Sequence, residues 1–356
     1  MNSHLRSAGE EGQSTFPFFV GCPRSGTTLL RAIFTAHPNL AIPDETHFFS
    51  DMVSKQKRYT TNGEFAAELF LADLLAHPWF HRLGVPPDDV RAEMLIEPPS
   101  SYSDAVRRVF ASYAKRQGKP RYADKTPRNL DSLKLLAQTF PEARFIHIIR
   151  DGRNVALSLL DMPWGPEGIV AAAQTWKSRV ERGRRAGRSL GPVRYREVLY
   201  EALLDDPETT VRSICEFIEL PFDPSMLRYF ESVEPIIAPN PNTRGSVALP
   251  LTKGLRDWHT QMSSKDLLRF EVIAGNLLGS LGYEKGSLPN SARGRVTAHL
   301  AVAVLETWAR LRGAYRSARQ FARMARKRAA RLVSRQEPPS RSKAERMNEN
   351  NGFRND

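Results

Sequence analysis

Cysteine is scarce. The 356 residues hold two, Cys22 and Cys215, too few for a disulfide framework, so the expected setting is reducing and cytoplasmic. The opening MNSHLRSAGEEGQST is polar and lacks the apolar core of a secretory signal, so none is expected. Long hydrophobic runs are also lacking. The longest toward the far end, 298–305, includes His299 and is much shorter than a bilayer span. No internal repeat is visible. The last absence is a single side chain: GCPRSGTT, residues 21–28, has glycines at 21 and 26 at the spacing of a phosphate-cradling loop, but Thr27 stands where a Walker A lysine belongs.

At 41% hydrophobic the chain can bury one large core or two smaller ones, which suits a globular enzyme. The net charge of +13 is misleading as a sum. Sixteen of the 52 basic residues but only five of the 39 acidic ones lie beyond residue 286, so the tail carries +11 and the body +2. The body is therefore nearly neutral, and no nucleic-acid partner is expected for it.

The local patterns alternate between strand and helix. An apolar strand over Phe16–Val20 turns at 21–25 into a helix over 26–36, which His37-Pro38 ends. A helix over 130–140 leads to a strand over 144–149. A strand over 193–196 precedes Asp206-Pro207-Glu208, where aspartate caps and proline takes the first position of a helix running to Leu220-Pro221. This predicts an α/β fold with a P-loop-like parallel sheet flanked by helices. Ligands of such sheets bind beyond the carboxyl ends of the strands. There lie Pro23, Arg24, Ser25, Gly26, Thr27 and Thr28 after the first strand, Asp124-Lys125-Thr126 after a short strand 121–123, and Arg150 and Ser158 after the strand 144–149. Hydroxyls and cations on one edge, beside helix N-termini, suit an anion with more than one phosphate.

A magnesium-dependent ATPase or GTPase would want lysine at 27 and an aspartate ending an uninterrupted strand, yet Arg150 intervenes before Asp151. A cysteine phosphatase using Cys22 would want arginine at position 28, which is threonine. A bare strand-to-helix turn explains the glycines but not the arginine and hydroxyls among them.

FVGCPRSGTTLLRAIFTAHP, then DET at 44–46, DKTP at 124–127 and FIHIIRDGRNVALSLL at 145–160 resemble the sulfotransferases that use 3′-phosphoadenosine-5′-phosphosulfate (PAPS). The resemblance is to the branch that includes bacterial enzymes and protein-tyrosine sulfotransferases, and it runs from about Phe16 to Tyr283. It implies that residues 23–28 cradle the 5′-phosphosulfate, which needs neither a lysine at 27 nor a metal. It further implies that Arg150 and Ser158 take the 3′-phosphate, that Tyr195 lies near the nucleotide, and that Glu45 is the base. Lys125 would stand near the bridging oxygen, and Arg24 would share in stabilising the transition state. Asp44 is the rival base. The departures are His47, where the tyrosine enzymes have arginine, and a late basic loop, TKGLRDW at 252–258, that is one residue short and lacks its first arginine. Lys253, Arg256 and Arg244 remain candidates for the 3′-phosphate.

Residues 50–119 carry helical periodicity and are expected to form an acceptor-pocket wall or lid within a domain spanning 15–286. His77 and His81 are four apart, but Pro78 and Trp79 between them argue for a turn rather than a metal site. Beyond a linker near 286–290, Leu300, Val304, Trp308, Leu311 and Tyr315 recur at helical spacing with arginines alongside. A basic amphipathic helix over 287–336 could pair with a partner helix or lie on an anionic membrane. Residues 1–14 and 337–356 read as disordered. The hydroxyl-bearing acceptor stays open among sugar, lipid, small metabolite and tyrosine. A magnesium-dependent nucleotide kinase and a non-catalytic nucleotide-binding protein directed by its tail are the alternatives.

Overall fold

The computed structural model describes residues 15–232, 249–254 and 256–286. Arg244, the basic tail and both chain ends fall outside the described residues.

The strands in chain order are β1 (Phe16–Gly21), β2 (Leu40–Ala41), β3 (Thr60–Thr61), β4 (Glu64–Phe65), β5 (Arg121–Tyr122), β6 (Asp124–Lys125), β7 (Ala143–Ile149) and β8 (Tyr195–Leu199). Four of them form a parallel sheet in the order β6-β1-β7-β8. Every residue of β1 is buried, as a central parallel strand covered on both faces requires. Successive side chains alternate between two cores. Phe16, Phe18 and Phe145 join Phe49, Phe110 and Phe140 on one face. Phe19, Ile146 and Ile148 join Leu30, Ile33, Phe34 and Ile214 on the other.

The helices are α1 (Thr27–Thr35), α2 (Phe48–Val53), α3 (Ala67–Leu75), α4 (Pro87–Ile96), α5 (Tyr102–Arg116), α6 (Leu133–Thr139), α7 (Gly152–Leu160), α8 (Gly168–Arg188), α9 (Tyr200–Asp205) and α10 (Pro207–Phe217), followed by Trp258–Gln261 and Ser264–Ser280. The stretch 50–119 is mostly helical, with α3, α4 and α5 and the small β3–β4 hairpin. Asp206 caps α10 by accepting from the Thr209 N–H at 3.2 Å, with Pro207 in the first turn, as the Asp-Pro pair predicts. Among the described residues no helix is long and apolar enough to cross a membrane.

Three local expectations shift. The chain reaches α6 through a 3₁₀ turn over Pro127–Ser132 that opens at a proline. The short strand 121–123 is two strands: β5 pairs with β2, and the chain then crosses to the main sheet, where Lys125 lies opposite Phe19. The strand expected over 193–196 is displaced to 195–199. Its register runs from Phe145↔Tyr195 to Ile149↔Leu199, while Val193 is exposed and the Arg194 guanidinium caps carbonyls of Ala137, Phe140 and Ala143 at the sheet's lower end. The residue delivered to the upper edge by β8 is thus Tyr200.

Candidate active site

The loop between β1 and α1 is held tightly. A Cβ on Gly21 would lie 2.7 Å from the Ile148 carbonyl oxygen. Gly26 has φ 100°, and a Cβ there would meet the Tyr200 ring at 2.4 Å, so both the conformation and the space demand glycine. Arg24 is also left-handed, with φ 72°. The loop hands over to α1, whose first-turn N–H groups lack intrahelical acceptors and whose first turn contains no acidic residue. Ser25 and Thr27 are buried there, and the Ser25 hydroxyl has no hydrogen-bond partner.

Cations gather above this loop. Arg24 Nε donates to Ser158 Oγ at 2.9 Å, and Arg150 Nη1 reaches the Arg24 carbonyl at 3.4 Å. The Arg150 guanidinium lies 4.4 Å from the Tyr200 ring centre, and its buried Nε has no partner. Burial first, then the charges of Arg150 and Arg256, push Arg24 below the ordinary arginine value. Arg256, paired with Asp161, therefore belongs to the Arg24 neighbourhood. Lys253 instead holds Asp205 at the end of α9, at 2.5 Å. Two buried donors without partners among crowded guanidiniums form a site that fits a polyanion.

A second group of residues stands beside the first. Lys125 Nζ, in a side chain 2% exposed, lies 2.9 Å from Glu45 Oε1. Glu45 Oε2 is 3.1 Å from His47 Nε2. Burial alone would raise the Glu45 carboxyl, but the Lys125 charge and the hydrogen bonds from His47 and Lys125 hold it well below the usual carboxylate range. Glu45 in turn raises the Arg24 value, so the two groups share one electrostatic environment.

A buried network explains how two residues 80 positions apart keep this spacing. Asp124 is fully buried and accepts from Thr46 Oγ1 at 2.8 Å, Thr126 Oγ1 at 3.0 Å and Asn129 Nδ2 at 2.6 Å. The Thr46 N–H donates to Thr126 Oγ1 at 3.1 Å. The residues next to Glu45 and Lys125 thereby bind each other. Asp44, the rival base, is gripped elsewhere, by Arg31 at 3.6 Å and Arg82 at 3.4 Å.

Tyr195 is not brought to this edge. It starts β8 at the opposite end of the sheet, buried against Gly187, with its hydroxyl 2.6 Å from His147 Nδ1. Tyr200 occupies the edge instead. The Cys22 thiol is buried and pushed up to about 12 by that burial, which removes it as a nucleophile. Asp151 caps α7 through the Arg153 N–H and pairs with the Arg153 guanidinium at 2.7 Å, so it is not free to hold magnesium. His77 packs at 3.5 Å from Asp51, and among the described residues no cluster of three His, Cys, Asp or Glu side chains is placed to hold a metal. Besides Tyr200, sequence reasoning missed the His47 contact to Glu45 and a buried Asp151–Arg153–Glu271 triad under Trp258.

The sulfotransferase family model matches residues 17–224, which include every residue of both groups except Arg256. The chain belongs to the sulfotransferase family. This sulfotransferase is 25% identical over 289 residues to protein-tyrosine sulfotransferase A of Caenorhabditis elegans, covering 79% of this chain and 70% of that one. Its fold is shared with the sulfotransferase domain of the Synechococcus PCC 7002 olefin synthase, at TM-score 0.52 and 22% identity over 79% of this chain and 99% of that one. It is shared too with the sulfotransferase domain from the curacin biosynthetic pathway, at TM-score 0.51 and 20% identity over 76% and 99%.

Proposed function

We propose that the protein transfers the sulfuryl group of PAPS to a hydroxyl, with Glu45 as general base. The observation that carries this reading is the 2.9 Å Lys125–Glu45 contact beside a phosphate loop whose buried Ser25 hydroxyl has no partner. A hydroxyl attacking sulfur must lose its proton, and the nucleotide phosphate must leave with the electrons of the S–O bond. Glu45 takes that proton. Lys125 and Arg24 meet the charge that grows on the bridging oxygen.

The loop 23–28 and the start of α1 serve the 5′-phosphosulfate. Arg150, Ser158 and Arg256 serve the 3′-phosphate, with Lys253 one loop turn farther along. Tyr200, stacked under Arg150, forms the wall beside the nucleotide. The Lys125 charge and the His47 contact favour the ionised form of Glu45, and a Lys125 drawn toward the bridging oxygen would leave that carboxylate a stronger base.

The test is sulfuryl transfer from radiolabelled PAPS by Glu45→Gln and Lys125→Ala. Losses of about 10²–10⁴-fold are expected for the base and about 10²–10³-fold for the cation, with donor binding retained in Glu45→Gln. Full activity in both variants would end this reading.

A further inference from the structure

We propose that His47 is a positioning residue for Glu45, held in place by Trp79, and that through this pair the helical stretch 50–119 controls the reacting carboxylate. The inference rests on the reading of Glu45 as base. Glu45 has two anchors, Lys125 on Oε1 and His47 on Oε2. Lys125 has a second task at the leaving oxygen. When it takes up that task, His47 is the anchor that remains, and it donates Nε2–H to the ionised carboxylate.

The surroundings of His47 are built for holding an imidazole still. Its ring centre lies 4.3 Å from that of Trp79, and the Arg82 guanidinium lies 4.4 Å from the same indole. Arg82 then returns to Asp44 at 3.4 Å. The adjacent residues Asp44 and Glu45 are therefore both gripped by one turn of the 50–119 stretch, directly by Arg82 and through His47, whose ring packs tilted against Trp79. From the other side, Arg31 of α1 holds Asp44. His47 itself has φ 20°, a conformation that residues with a Cβ rarely adopt, and it directly precedes α2. Backbone strain of this kind persists where the surrounding structure enforces it, and it collects at reacting sites. The Glu45 side chain is 28% exposed, so packing alone does not fix its carboxylate, whereas a hydrogen bond from a ring packed against Trp79 does.

The experiment uses radiolabelled PAPS with water as the acceptor, so that no natural acceptor is needed. Stabilisation by 3′,5′-adenosine bisphosphate reports on the donor site and the fold. His47→Leu and Trp79→Ala are expected to slow sulfate release tenfold or more, as loss of reacting geometry does, with the thermal shift produced by the bisphosphate unchanged. His47→Gln, which keeps an N–H, is expected to recover most of the rate. In a Glu45→Gln background, His47→Leu should cost nothing further, because the two act through one carboxylate. A His47→Leu rate within about twofold of the parent, or an equal loss in both backgrounds, would overturn the proposal. Full-rate release by Glu45→Gln would instead overturn the base on which it rests.

Discussion

Arg150 and Arg153 stand three residues apart where β7 passes into α7, and the fold treats them in opposite ways. Arg153 is completely buried and fully engaged: Asp151 at 2.7 Å, Glu271 at 2.9 Å and the Trp258 ring centre at 3.6 Å. Arg150 is half-buried with a buried Nε that has no acceptor, and its near neighbours include a second arginine. One cation ties α7 to the helix Ser264–Ser280. The other is held unsatisfied at the sheet edge, alongside a serine in the same condition. Burying a donor without a partner is costly. Two such donors at one edge, a few residues from a cation that is satisfied in full, are what the proposed anion site requires.

The largest effect should come from breaking the satisfied side of this comparison. Arg153→Met leaves two buried carboxylates without their counter-charge and is expected to cost about 3–5 kcal/mol of stability in denaturant unfolding. Arg150→Met should do the reverse, leaving the unfolding midpoint unchanged or raised while weakening 3′,5′-adenosine bisphosphate binding by about 1.5–3 kcal/mol in calorimetry. Exchange of these two outcomes would show that the roles have been assigned the wrong way round.

The tyrosines sharpen the same contrast on β8. Tyr200→Leu removes the ring under Arg150 and should weaken the bisphosphate by about 0.5–2 kcal/mol. Tyr195→Phe deletes the bond to His147, and its effect, about 1 kcal/mol, should appear in stability and not in binding.

The smallest effect is a pH dependence. Glu45 has a folded value below its unfolded value, near 4.3, so its ionised form stabilises the protein above that pH and the contribution fades as pH falls toward the folded value. The difference in melting temperature between the parent and Glu45→Gln should shrink from pH 6 to pH 3. A difference that grows on acidification would mean that Lys125 and His47 do not hold this carboxylate.

Much of the loop and its flanking elements is legible in the sequence. The loop 21–28, the flanking strand and helix, and the Asp206-Pro207 cap are written in local chemistry, where glycine freedom, apolar runs and capping residues act over a few positions. What escaped depends on register or on long-range contact. The β8 strand is set by its pairing with β7, and a shift of a few residues moved Tyr195 to the foot of the strand and Tyr200 to the edge. The contacts that decide their places, His147 and Gly187 for Tyr195 and Arg150 and Gly26 for Tyr200, come from elsewhere in the chain. The Arg153 triad joins residues 118 apart, and nothing in the run RDGRN distinguishes the fully paired arginine from the one with an unpartnered Nε. His47, two residues from Glu45, was visible as a departure from the tyrosine enzymes, but its hydrogen bond needed the turn and the indole of Trp79.

Thermal melting of the protein with 3′,5′-adenosine bisphosphate, against ATP with and without magnesium, tests the donor site most directly. At 100 times its dissociation constant a ligand adds about 2.7 kcal/mol to stability. The account predicts that the bisphosphate alone raises the midpoint, that magnesium adds nothing, and that Arg150→Met cuts the rise at the same ligand concentration by half or more. Stabilisation by ATP only when magnesium is present, with none by the bisphosphate, would contradict it.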